Sequence, residues 1–146
     1  DMHGGFATYK AKFEALLSAH YIAAVYLRDR AVTLAQFEPA CYNDPELRQF
    51  AVERVDVIHD PELIGGQAVA DVITKDGRTV TARCDHPLGT PENPLSRDQV
   101  EQKFRTYAVS RLSPDMAESV IGAIDELEML GSAQALIDLL HQPNQE

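Results

Sequence analysis

The chain has 146 residues, 45% hydrophobic and 25% charged, a globular balance with length enough to bury a core without staples. Its formal net charge of -10 argues against a nucleic-acid partner, since phosphate binding needs clustered Lys and Arg. The same charge repels acidic ligands at long range, so a local group of cations would have to receive one.

Cys41 and Cys84, far apart in the chain, make no disulfide framework and set a reduced, cytoplasmic setting as the expectation. No apolar run approaches the roughly 20 residues that span a bilayer, so no membrane association is expected. Residues 1–9 lack the basic region and apolar core of a signal peptide. The start at Asp1 in place of an initiator Met fits an excised piece of a longer chain.

The periodicity predicts a first helix over 8–27, with Phe13, Leu16, Leu17, Ala24 and Leu27 on its apolar face. Thr33 caps a short helix carrying Leu34 and Phe37, which Pro39 limits. Asn43 or Asp44 before Pro45 reads as N-cap and N1 of another short helix over 46–54. At Val55 the period changes: Val55, Val57 and His59 alternate with Asp56, Ile58 and Asp60, which suggests a strand ending at Pro61. Two further strand-like runs, 69–74 and 79–84, flank Lys75-Asp76-Gly77-Arg78. An Asp-Gly pair between such runs predicts a tight hairpin turn with positive φ at both central residues. After the turn-rich stretch 85–95, Ser96 with Gln99 gives a capping-box pattern for a helix to about Arg111. Ser113-Pro114 opens the next helix, with Val120, Ile121, Ile124 and Leu127 inward and Gly131 as its stop, and Ser132 opens the last. The tail from Gln142 is polar and expected to fray. The expected architecture is α+β: a small, mostly antiparallel sheet of about three strands, packed with N-terminal and C-terminal helices in a single domain over 1–146.

The order of these motifs resembles the C-terminal domain of the MmgE/PrpD family. The segment Tyr21 to Phe37, YIAAVYLRDRAVTLAQF, is similar to the family's small-residue-rich helix followed by a T-x-x-x-F helix. Asp44-Pro45 with VDVIHDPEL from Val55 to Leu63, the Lys75-Asp76-Gly77-Arg78 turn, and DHPLGTPENPLS before Lys103-Phe104 resemble further family stretches in order. The resemblance implies a lid domain whose parent enzyme carries a larger N-terminal helical domain, absent from this chain. It also implies homodimers. The family's activities (2-methylcitrate dehydration, cis-aconitate decarboxylation, iminodisuccinate epimerisation) act on small polycarboxylates without a metal or other cofactor, and a fragment holding part of a shared site would be inactive alone.

Chemistry beside a carboxylate needs a general acid or base with a tuned pKa, and cations for the carboxylates and the developing charge. Lys12, His20 and His59 are the candidate catalytic residues, with Ser18, Tyr21 and His86 as candidate substrate contacts. The family's matching helix carries a basic residue near its start, which Lys12 matches. Five residues on, where many members have His, this chain has Leu17. His20 follows three residues later, almost one turn away on a continuous helix. This departure implies a divergent member. His59 falls where a decarboxylating member has an active-site Tyr, and an imidazole there could act as acid, base or donor. The alternatives are a solvated lysine, a hydrogen-bonded packing histidine at position 20 and a turn-fixing histidine at position 59. Cys84-x-His86 has no third ligand at metal spacing, so no metal site is expected. A non-catalytic, acidic association module is the reading from another class.

Overall fold

A computed structural model describes residues 7–141 and divides the chain into two compact units, with the boundary between Ile64 and Gly65. The polar tail from Gln142 lies outside the described residues.

The first unit is helical. Helix α1 spans Lys12–Leu16 and α2 spans Ala19–Asp29, so the single helix expected over 8–27 is broken. Leu17 closes α1, and Ser18 takes an extended ψ of 106° while its side chain accepts from Tyr21 N at 3.1 Å. A serine hydroxyl that caps the following turn competes with helix continuation. The break also changes which residues are inside. Phe13, Leu16 and Leu17 are exposed, Ala24 is buried as the periodicity predicts, and Ala15, Tyr21 and Val25 are buried beside it. Arg30 ends α2 in the left-handed region at φ 57°, its N–H donating to Tyr26 O.

Thr33 and Gln36 form a capping box on a 3-10 helix, Leu34–Phe37. Pro39, expected only to limit that helix, also begins α3, Pro39–Tyr42, because the fixed φ of proline suits a first helical position. Asp44 then caps α4, Pro45–Arg54, accepting from Glu46 N at 2.9 Å and Leu47 N at 3.4 Å.

The core of this unit joins Tyr9, Ala15, Tyr21, Ala24, Val25, Phe37, Leu47 and Ala51. Tyr21 sits at its centre, edge-on to Tyr9 at 4.8 Å and to Phe37 at 5.8 Å between ring centroids. Burial of each large side chain here stabilises by about 1.5–3 kcal/mol. The Arg48 guanidinium lies 4.9 Å from the Tyr9 ring centroid, a cation–π contact that ties α4 to the segment before α1.

Beyond α4 the backbone is extended at Val55 (φ -119°, ψ 117°) but forms no ladder. The third strand expected over 55–60 is therefore absent, and among the described residues the sheet has two strands. Val57 and Ile58 are consecutive apolar residues, both exposed, so strict alternation with a period of two is not kept.

In the second unit, β1 (Ala68–Ile73) pairs antiparallel with β2 (Thr79–Cys84), Val72 opposite Val80 and Ala68 opposite Cys84. The connection differs from the expected turn. Gly77 has φ 82°, while Asp76 does not have positive φ. Gly77 N donates to Thr74 O at 2.9 Å and Thr74 N to Arg78 O at 2.8 Å. This is a three-residue loop with its left-handed residue at glycine, which leaves Asp76 free of the steric cost of positive φ. Every residue of both strands is exposed, in contrast to the packed sheet expected.

Helix α5 spans Arg97–Ala108 behind the Ser96–Gln99 capping box, and α6 spans Pro114–Asp125 behind Ser113. A 3-10 turn, Leu127–Met129, follows before Gly131, and α7 spans Ala133–His141. Leu112, Ala117 and Val120 are buried where α5, α6 and their connection meet. Arg105 joins the two long helices, reaching Glu118 at 2.5 Å and Glu101 at 3.1 Å.

Candidate functional site

Five of the six candidate residues lie in the first unit. Lys12 opens α1 with an exposed side chain, and its Nζ donates to Glu38 Oε1 at 3.0 Å. The pair forms because α1 packs against both the 3-10 helix and α3, and Glu38 is the residue between those two elements. Nothing in the spacing of a lysine and a glutamate 26 positions apart marks them as partners; only the fold brings them together.

His20 occupies the first turn of α2 and is half-buried. Its Nδ1 is buried with no hydrogen-bond partner among the described residues. A buried, unpaired ring nitrogen costs on the order of 1–3 kcal/mol. The break at Leu17–Ser18 changes its relation to Leu17. The two residues belong to different helices, so a displacement of nearly one turn along a common axis does not describe them.

Ser18 is fully buried and caps α2 through Tyr21 N. Tyr21 is equally buried, and its hydroxyl donates to Gln36 O and lies 3.5 Å from Cys41 Sγ. Burial, followed by the bond to Cys41, pushes the Tyr21 hydroxyl far above the usual phenol range. Tyr21 thus holds α2 against the 3-10 helix, and its hydroxyl is already engaged. Arg28, itself exposed, adjoins this group, reaching Cys41 Sγ at 3.0 Å, Asp44 at 2.8 Å and Asp29 at 2.6 Å. The Arg28 guanidinium holds the Asp29 carboxyl below the usual carboxylate range.

His59 is exposed in the extended segment after α4, immediately before a turn in which Leu63 N donates to Asp60 O at 3.2 Å. His86 belongs to the second unit. Its side chain is exposed, and its backbone carbonyl accepts from Asn93 Nδ2 at 2.9 Å. The loop is tightened by Gly89 at φ 97°, whose N–H reaches Asn93 O at 2.7 Å. The Asp-His-Pro to Asn-Pro-Leu-Ser stretch is therefore a structured loop that fixes the backbone at His86.

A hollow of about 150 Å³ in the second unit is lined by Arg105, Val109, Leu112, Pro114, Ala117 and Glu118. It contains none of the six candidates, and its charged pair is already joined. Among the described residues no group of three or more His, Cys, Asp or Glu is placed to hold a metal ion. No described helix is long and apolar enough to cross a membrane.

Sequence reasoning missed Glu38, the partner of Lys12, and the Arg28–Cys41–Tyr21 group. The acidic residue before Pro39 is the one local signal for Glu38, and it points to helix capping and not to a lysine.

Lys12 is an exposed cation in a surface ion pair and His20 a half-buried imidazole in the first turn of α2, side-chain types that chemistry beside a carboxylate uses. Two proteins similar to this chain are the cis-aconitate decarboxylases of Homo sapiens, 32% identical, and Mus musculus, 30% identical, each over 138 residues. The match takes in 92% of this chain and 28% of each relative, so the chain spans little more than a quarter of their length. The family model for the MmgE/PrpD C-terminal domain matches residues 3–129. With most of its length matched, the chain belongs to the MmgE/PrpD C-terminal domain family.

Proposed function

We propose that this chain is the lid domain of a cofactor-independent lyase or isomerase that acts on a small di- or tricarboxylate by proton transfer next to a carboxylate. The observation that carries this reading is the family match over 3–129 together with the similarity to two cis-aconitate decarboxylases. In this reading Lys12 receives a substrate carboxylate, His20 carries the proton, and His59 assists as acid, base or donor. Ser18 and Tyr21 contribute by holding the start of α2 that carries His20, and His86 contacts the substrate from its loop. An imidazole is a side chain of the type that serves as general acid or base in such a step. The lid excludes water from a carbanion-like intermediate. The remaining groups come from an N-terminal helical domain of the same protein, in a cytoplasmic homodimer.

Because the site is shared, the isolated chain should turn over no polycarboxylate. A panel of small di- and tricarboxylates, followed by nuclear magnetic resonance in deuterated water, tests this directly. Turnover by the 146-residue chain would remove the shared-site part of the reading.

A second reading, a non-catalytic association module, draws on the hairpin. Ala68, Ala70 and Val72 lie opposite Cys84, Ala82 and Val80, so one face of the sheet is wholly apolar, and it is exposed. Such a face is suited to cover by another surface. Substitution at Lys12 and His20 distinguishes the readings, since an association module tolerates both changes without loss of ligand binding.

A further inference from the structure

We infer that Glu38 is a built-in competitor for the substrate carboxylate at Lys12. Its carboxylate holds the place on the ammonium that a carboxylate of the polycarboxylate would take on binding. This inference rests on Lys12 being the carboxylate anchor of the proposed site.

Three observations support it. Lys12 Nζ and Glu38 Oε1 are 3.0 Å apart, a charge-assisted bond between an ammonium and a carboxylate, the same chemistry that a substrate carboxylate would offer. Both side chains are open to water, at 46% and 60% exposure, so the pair belongs to the weak surface class that an incoming ligand can displace. Glu38 is also the N-cap residue of α3, yet its side chain makes no capping bond there. Capping of the first turn is the habit of shorter side chains such as Asp, Asn, Ser and Thr, and the longer Glu38 side chain is directed to α1.

The pairing also offsets an unfavourable placement. Lys12 stands at the first position of α1, where the helix dipole disfavours positive charge. Glu38 neutralises that ammonium until a ligand does so. The chain's net charge of -10 makes each further carboxylate near the anchor unfavourable to an anionic ligand. Glu38 is therefore a positioning residue that sets the threshold for binding and takes no part in proton transfer.

The test uses the full-length protein that carries this chain and propane-1,2,3-tricarboxylate, a saturated tricarboxylate with no hydroxyl to eliminate, as the probe in isothermal titration calorimetry. Glu38→Gln should tighten Kd about threefold, the factor a surface ion pair of ordinary strength allows. Lys12→Ala should weaken Kd, and adding Glu38→Gln to Lys12→Ala should then give no tightening. Glu38→Asp, which keeps the charge, should stay nearer the parent than Glu38→Gln. A gain that vanishes without Lys12 is not a result that loss of a purely structural contact, or of one surface charge, would give. If Lys12→Ala weakens binding but Glu38→Gln leaves Kd unchanged or weakens it, the inference is overturned and the site reading stands. If Lys12→Ala has no effect, or the probe does not bind, the site reading fails and the inference with it.

Discussion

Tyr21 is the residue on which the first unit turns, and its position separates packing from chemistry. Its ring contacts Tyr9 and Phe37, and its hydroxyl bonds Gln36 O. Replacing it by Phe keeps the ring contacts and leaves a carbonyl without its donor, a loss of about 1–2 kcal/mol that urea unfolding would register. Ligand affinity should stay unchanged if Tyr21 only holds α2, and a weakened Kd would return it to the substrate contacts. Tyr9 and Tyr21 also set a pH response. Burial raises the Tyr9 hydroxyl to about 12 from 10.0 and the Tyr21 hydroxyl further. A group whose folded pKa exceeds its unfolded value contributes stability that is complete below the unfolded pKa and is lost as pH rises through the folded one. The first unit should therefore lose stability between pH 10.0 and about 12. In an ultraviolet titration followed alongside circular dichroism, phenolate from these two tyrosines should appear with unfolding and not before it.

At the scale of elements, the caps carry much of the fold. Thr33 with Gln36, Asp44 before Pro45, Ser96 with Gln99 and Ser113 before Pro114 all open helices where the sequence pattern puts them. These signals are local, a side-chain oxygen within reach of an amide two or three residues on, and so they are legible without a fold. The break at Ser18 is equally local, but the apolar pattern of 8–27 masks it. The strand expected over 55–60 fails for a different reason: an extended segment becomes a strand only when a neighbour pairs with it, and no partner is legible in six residues. The Lys12–Glu38 pair lay further from view, because it depends on how α1 meets the segment between the 3-10 helix and α3. The candidate residues follow from residue types and the family resemblance, whereas their partners, Glu38 for the Lys12 ammonium and Gln36 O for the Tyr21 hydroxyl, follow only from the fold. One element is suboptimal. Arg30 closes α2 at φ 57°, a conformation that costs a non-glycine residue roughly 1–2 kcal/mol. Arg30→Gly should raise stability by about 1 kcal/mol, seen as a higher urea midpoint with an unchanged slope; a lower midpoint would mean that the arginine side chain makes a contact worth more than the strain.

For the whole molecule, charge and exposed apolar surface point the same way. The chain carries 23 acidic and 13 basic residues, and apolar side chains such as Phe13, Ile58, Ile73 and Met129 are at least 70% exposed. In the second unit Arg105 holds Glu101 and Glu118 below the usual carboxylate range, with Arg97 the larger cause at Glu101. Carboxylates with lowered folded pKa give stability that is present above their unfolded values and lost as pH falls through the folded ones. Acid titration below about pH 4.3 should loosen the α5–α6 pair, and Glu101→Gln with Glu118→Gln should flatten that response in circular dichroism. The central claim, however, concerns chemistry at the start of α1 and α2. Its most direct test is turnover of small di- and tricarboxylates, cis-aconitate among them, by the full-length protein and its Lys12→Ala and His20→Ala variants. Loss of a proton-transferring side chain should lower kcat by about 100-fold or more in His20→Ala, and Lys12→Ala should raise KM. Unchanged kcat and KM in both variants would contradict the assignment of this domain to polycarboxylate chemistry through these residues.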